Sequence, residues 1–212
     1  MDFETRTISR AENESWPGLE TVAQDVSRHL SLGGLLAHPT TGVYGLGGAP
    51  GDDIEKCLAQ VKDRADKIGF VYLVADVATA RIHLPGAEWT PLAVRLAEEF
   101  WPGPLTLVLD DGSPAGVAVR AEAHPVTRAI LGSWAGPISS TSLNLAGEPP
   151  ARAGPEARRV LQSMPPVDRS VLWLDAGSLP GLPASTLVRV GSDWEVLREG
   201  AVSADQIRRV LP

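Results

Sequence analysis

Short apolar runs, each cut off by glycine or proline, recur along the chain, and this punctuation limits the elements that can form. Leu35-Leu36-Ala37, FVYLVAD (70–76), LTLVL (105–109) and GVAVR (116–120) are too short for core helices and favour strands. So do VLWLD (171–175), STLVRV (185–190) and WEVLRE (194–199), with Gly191-Ser192 as a hairpin turn between the last two. Helical spacing lies between these runs. Val22, Val26 and Leu30 recur every four residues until Gly33-Gly34, and Ile54, Leu58 and Val61 share a face behind Asp52, read as an N-cap. Thr90-Pro91 starts LAVRLAEEF, Pro125 opens a helix through Ile130, PEARRVLQSM covers 155–164, and Ser203 with Gln206 forms a capping box. Trp101-Pro102-Gly103-Pro104 reads as a rigid structural corner. Alternating strands and helices predict α/β, and the terminal hairpin argues against a purely parallel sheet. The expectation is a single-domain twisted mixed sheet flanked by helices over 1–212, with 1–18 as a loose lead-in and no extra C-terminal domain.

The chain has 212 residues, enough for a core without disulfides, and a single cysteine excludes a disulfide framework or a Cys-rich zinc site. Cys57 lies beside Ile54 and Leu58 and reads as a core thiol. The net charge of -7 excludes a general basic nucleic-acid coat but leaves room for a local basic cleft. No apolar run reaches the ~18 residues of a membrane span, and the polar, acidic start is not a signal peptide. The expected compartment is the cytoplasm.

Common catalytic signatures are absent. In the Gly42–Gly48 loop Gly48 stands where a phosphate-binding P-loop needs lysine, and Pro50 stands where a dinucleotide fingerprint needs glycine. His29, His38, His83 and His124 are scattered and read as surface or structural residues, with no convincing Ser-His or Cys-His pair. Four features remain. PTTGVYGLGG (39–48) is a small-residue loop carrying the hydroxyls of Thr40, Thr41 and Tyr44, equally readable as an ordinary strand-to-helix turn. Lys62 and Arg64 close a helix and suit a polyphosphate or a carboxylate, although a solvated helix end has the same look. SSTSLNLAGEP (139–149) sets four hydroxyls and an amide at a strand end, where α/β sheets bind ligands. Arg120 and Arg198 each end a strand, facing either an anion or neighbouring carboxylates such as Glu122 and Glu199.

These pieces, in this order from Pro39 to Gly200, resemble the YrdC domain family, the threonylcarbamoyl-AMP synthases of TsaC type. PTTGVYGLG is similar to the family's first loop, KDR to its K-x-R, FWPGPLTLVL to its central strand, and GVAVRAEAHP to its arginine strand. STSLNLAGEPPA is similar to its S-x-N loop, and STLVRV with VLREGAVS to its ending. The resemblance implies formation of threonylcarbamoyl-AMP and pyrophosphate from L-threonine, bicarbonate and ATP, for modification of adenosine 37 of tRNA. It implies ATP binding by Lys62, Arg64, Ser142, Asn144 and Arg198, and threonine or carbamate binding by Thr40, Arg120, Ser140 and Ser185. ATP would enter as substrate with Mg2+ and no tightly bound protein metal, and tRNA or tRNA-modification proteins would be downstream partners. No protein nucleophile is needed, so catalysis would rest on positioning and charge stabilisation. The departures are Thr41 for the family's acidic residue, Gly42 for Thr or Ala, Ala65 for proline, Leu143 for alanine and Ala146 for serine. They leave, as the alternative, a paralogue that binds nucleotide or RNA without this activity.

Overall fold

The computed structural model describes residues 3–9, 16–62 and 70–211. Ten strands form one mixed sheet: β1 (Glu4–Thr7), β2 (Leu35–Pro39), β3 (Tyr44–Gly48), β4 (Val71–Val74), β5 (Leu105–Leu109), β6 (Val117–Ala121), β7 (Ile138–Ser142), β8 (Val171–Asp175), β9 (Thr186–Val190) and β10 (Trp194–Arg198). Their spatial order is β1-β8-β2-β3-β7-β4-β6-β5-β9-β10. Parallel contacts join β1 to β8, β8 to β2, β4 to β6 and β5 to β9, and the other neighbours are antiparallel. Seven helices complete the described chain: α1 (Leu19–Ser31), α2 (Asp52–Val61), α3 (Val77–His83), α4 (Pro91–Phe100), α5 (Pro125–Trp134), α6 (Gly154–Ser163) and α7 (Ala204–Val210).

Strand alternation sorts the core into two faces. On one, Leu35, Leu46 and Trp173 pack on α2 and α6, while Val119, Leu107 and Val188 pack on α4 and α7. On the other, Leu36, Leu73, Ile138 and Leu172 pack on α1 and α5. The helix-free part of that second face carries Gly45, Ser140, Ser142, Ala118, Arg120 and Leu187, which line a hollow of about 320 Å3.

Capping chemistry set several boundaries as expected. The Thr90 hydroxyl accepts from the Ala93 amide at 3.2 Å, Pro91 occupies the first turn of α4, and the Ser203–Gln206 capping box is present. Strands β5 and β8 match the expected runs, and the β9–β10 hairpin is antiparallel. Trp101 anchors its corner by donating its indole N–H to the Leu105 carbonyl at 2.7 Å, and the Trp101–Pro102 peptide is cis.

Three expectations need correction. Residues 1–18 are not merely a lead-in, because Glu4–Thr7 pairs in parallel with β8 at the sheet edge. The stretch Tyr44–Gly48 is a fully buried strand rather than a loop, its backbone paired on both sides by β2 and β7. Asp52 is the first residue of α2, with Gly51 at the N-cap and no side-chain cap.

Candidate active site

The hollow draws its lining from stretches scattered along the chain. Leu73 registers with Arg120, Val71 with Ser140, and Gly45 with Ser142. This pairing sets two hydroxyls and a guanidinium on one floor. Of the four consecutive hydroxyls, Ser140 and Ser142 face the hollow, whereas Ser139 donates to the Gly48 carbonyl at 3.3 Å. Glycine at 45 is a steric requirement: a Cβ there would lie 2.8 Å from both the His38 ring and the Ser140 oxygen. Gly42 admits the chain that roofs the hollow, since its Cβ would lie 2.9 Å from the Leu182 carbonyl oxygen.

At one end, Lys62 caps α2 and reaches around the edge of β7. Its ammonium donates to the carbonyls of Ser142 at 2.8 Å and Asn144 at 3.0 Å, and to the Asn144 side-chain oxygen. The Ser142 hydroxyl also donates to that oxygen at 2.7 Å, while the Asn144 amide donates to the carbonyls of Leu145 and Glu148. Lys62, Ser142 and Asn144 thus form one hydrogen-bonded cluster. Arg64 lies outside the described residues.

Arg198 lines the hollow and donates to the Ser185 carbonyl at 2.9 Å. Thr106 donates its hydroxyl to that of Ser185 at 2.9 Å. Thr40 lines the hollow and closes its own turn, its hydroxyl donating to the Val43 carbonyl at 2.6 Å. The Tyr44 hydroxyl is committed elsewhere, donating to the Gly177 carbonyl and accepting from the Ala176 amide, and burial pushes its pKa up to about 12.

A buried carboxylate, Glu122, stands against Arg120. Arg120 donates to Glu122 at 2.6 Å, the carboxylate pairing weighed above. The other Glu122 oxygen accepts from the amides of Thr41, Ala123 and His124 at 2.9, 2.9 and 3.1 Å, and from the Thr41 hydroxyl. Burial alone would raise the Glu122 pKa. The Arg120 guanidinium and the donors from Thr41 and His124 outweigh it and hold the carboxyl below its usual range. One Arg120 N–H, at Nε, is buried without a protein partner. Thr41, a departure from the family pattern, therefore serves as an anchor for Glu122.

His38 is the structural residue that its sequence context allowed. It is fully buried at the back of the floor, with Nε2 3.0 Å from the Ser140 hydroxyl and Nδ1 3.3 Å from the Pro39 carbonyl. A Ser-His contact therefore exists, although not the catalytic pair whose absence the sequence predicts. Burial lowers the His38 pKa from 6.5 to about 4, against the opposing pull of the Pro39 carbonyl and Glu122. Such a histidine is a weak base with no carboxylate behind it, so it does not make Ser140 a nucleophile.

This shift predicts a pH dependence of stability. The unfolded histidine takes up a proton below about pH 6.5, and the folded one does so only near 4. Stability from this site is therefore complete above pH 6.5, falls as the pH drops, and levels off below about 4. Between pH 7 and 5 wild type should lose roughly 2 kcal/mol at this position. Urea titrations of wild type and His38→Phe at the two pH values check it, the variant showing the shallower loss.

Of the nine expected site residues, Thr40, Arg120, Ser140, Ser142, Ser185 and Arg198 line the hollow, Lys62 and Asn144 bond to Ser142, and Arg64 is not described. Sequence reasoning missed the hydrogen-bonding roles of His38, Thr106 and Thr41. Glu122 was available from strand periodicity, because residues two apart on a strand share a face.

Among the described residues, no three His, Cys, Asp or Glu side chains group as a metal site, and no helix is long and apolar enough to cross a membrane. The fold thus sets two arginines, Arg120 and Arg198, along one hollow of the size that small-molecule sites have. The family model described as telomere recombination, Sua5/YciO/YrdC, matches residues 28–200. The chain belongs to the Sua5/YciO/YrdC family. Among its relatives, the threonylcarbamoyl-AMP synthase of Xanthomonas axonopodis pv. citri is 33% identical over 180 residues, covering 80% of this chain and 93% of that one. The enzyme of the same name from Chromohalobacter salexigens is 34% identical over 184 residues, covering 82% and 95%. Solved structures agree on the fold. Sua5 of P. abyssi, determined with L-threonine, matches with a TM-score of 0.82 at 24% identity over 98% of this chain, which spans 60% of that protein. YciO of E. coli matches with a TM-score of 0.79 at 19% identity, covering 97% of this chain and all of that one.

Proposed function

We propose that this chain is an L-threonylcarbamoyladenylate synthase, a nucleotidyltransferase whose reaction takes place in the hollow between Lys62 and Arg198. The observation that carries the reading is the convergence of Arg120, Arg198, Ser140, Ser142 and the Lys62–Asn144 cluster on one site, drawn from strands far apart in the chain. Relatives bearing the enzyme's name span nearly their whole length in this alignment.

The threonine amine attacks the carbon of bicarbonate or of CO2 derived from it. A C–N bond forms, water or its equivalent leaves, and the nitrogen gives up a proton. A carbamate oxygen then attacks the α-phosphorus of ATP, and pyrophosphate departs with the electrons of the broken P–O bond. No covalent enzyme intermediate is required. The protein aligns two small anions with a polyanion and offsets their charge, and such a site in a low-dielectric hollow gains its rate from preorganised dipoles and cations.

Arg120 lines the hollow while Glu122 holds it, a guanidinium suited to the threonine carboxylate or the carbamate. Ser140, Thr40 and Ser185 complete the amino-acid side. Lys62, Arg64, Ser142, Asn144 and Arg198 make the nucleotide side, and magnesium entering with ATP would help to offset the phosphate charge. The acyl phosphate product is activated for transfer to a nucleophilic amine, and adenosine 37 of tRNA is its acceptor.

Pyrophosphate release from ATP tests the reading, with threonine and bicarbonate omitted in turn. Release that needs both is the expected result. Release independent of either overturns it, as does nucleotide binding without release.

A further inference from the structure

Ser140 bears on the hollow, but its hydroxyl hydrogen is already committed, and that fixes what it offers a ligand. His38 Nδ1 faces the Pro39 carbonyl, which can only accept, so that nitrogen carries the proton. Nε2 is then a bare lone pair, and the Ser140 O–H must donate to it. What Ser140 has left for the hollow is a pair of acceptor sites. Tautomer and hydroxyl direction follow from the same two contacts, and both groups are buried, His38 at 0% and Ser140 at 5% exposure. Gly45 keeps the arrangement intact, because a side chain there would displace ring and hydroxyl together.

From this geometry we infer that His38 is a positioning residue that turns Ser140 into an obligate acceptor for the amino group of the amino-acid substrate. The inference rests on the threonine-binding reading above and assigns one contact within it. A threonine carboxylate or a carbamate oxygen finds no donor at Ser140 and is left to Arg120. The ammonium, and later the carbamate N–H, finds an acceptor there, so one hydroxyl follows the nitrogen through its attack on the one-carbon unit. Glu122, Arg120 and His124 are the charged or titratable groups that bear on His38, and with Arg120 paired to Glu122 the ring stays neutral at working pH and does not repel an ammonium.

The test compares binding of L-threonine with that of 3-hydroxybutyrate, which keeps the carboxylate and the hydroxyl but lacks the amine. Calorimetry on the full chain, with pyrophosphate release measured in parallel, gives both numbers. Wild type should prefer threonine. His38→Phe frees the Ser140 hydroxyl to act as a donor, so the preference should fall about tenfold, the weight of one hydrogen bond to a charged group, with 3-hydroxybutyrate binding unchanged. His38→Gln, which places an amide oxygen near the Nε2 position, should restore most of it. Ser140→Ala should lower the preference to the level of His38→Phe, and it answers the question if the phenylalanine variant does not fold. A purely structural His38 would weaken both ligands alike, and that result overturns the assignment, as does an unchanged preference in His38→Phe or Ser140→Ala. Wild type that shows no threonine-dependent pyrophosphate release overturns the proposed function itself, and the assignment with it.

Discussion

Lys62→Ala should reduce pyrophosphate release by about 100-fold to 1,000-fold, the loss seen when one preorganised donor to a developing charge is removed. Two effects combine. The cation near the nucleotide side of the hollow disappears, and so does the tie that shapes the Ser142–Asn144 loop. The Lys62 ammonium serves the Ser142 carbonyl, the Asn144 carbonyl and the Asn144 side chain, and it is 6% exposed. Truncation leaves buried acceptors without this donor and should cost roughly 1–3 kcal/mol of stability. The protein should remain folded at room temperature, with a cooperative but earlier thermal transition. Activity measured well below that transition separates the two effects. A folded variant with near wild-type turnover would show that Lys62 serves only the loop.

Glu122→Ala should have the largest effect on stability. The carboxylate is fully buried, pairs with Arg120 at 2.6 Å, and takes three backbone amides and the Thr41 hydroxyl on its other oxygen. Its removal strands a guanidinium that is mostly buried, a situation that costs about 3–5 kcal/mol. For a chain of this size that is a fall of roughly 10 °C in Tm. Removing both charges, in Arg120→Met with Glu122→Ala, should cost less than Glu122→Ala alone, because the stranded cation goes too. In the single variant the Michaelis constant for threonine should rise more than kcat falls, since Arg120 loses its orientation. Equal and additive losses in the cycle would mean that the pair is not coupled.

The legibility of this fold tracked how local its causes are. Thr90-Pro91 and Ser203 with Gln206 marked their helix starts because caps are local chemistry, and VLWLD and LTLVL named their strands because buried β-branched and leucine runs leave few alternatives. Tyr44–Gly48 escaped because glycine disfavours strands in isolation. Only the pairing with β2 and β7, with ring and hydroxyl packed over Gly45, explains glycines there. Glu4–Thr7 escaped because a short polar edge strand has no apolar alternation to read. At the site, residues carrying charge were legible through the family resemblance. Residues that orient them were not: His38 acts through a partner 102 positions away, and Thr41 through one 81 positions away. Those contacts exist only once the sheet order is known.

The central claim is that the hollow joins an amino acid, a one-carbon unit and a nucleoside monophosphate into a single molecule. The most direct measurement supplies 13C-bicarbonate with threonine and Mg–ATP, and weighs the AMP adduct by mass spectrometry under conditions that limit its hydrolysis. The account predicts a threonylcarbamoyl-AMP that carries one 13C atom and accumulates in step with pyrophosphate. An AMP adduct of threonine without the label, or pyrophosphate released with no adduct formed, would contradict it.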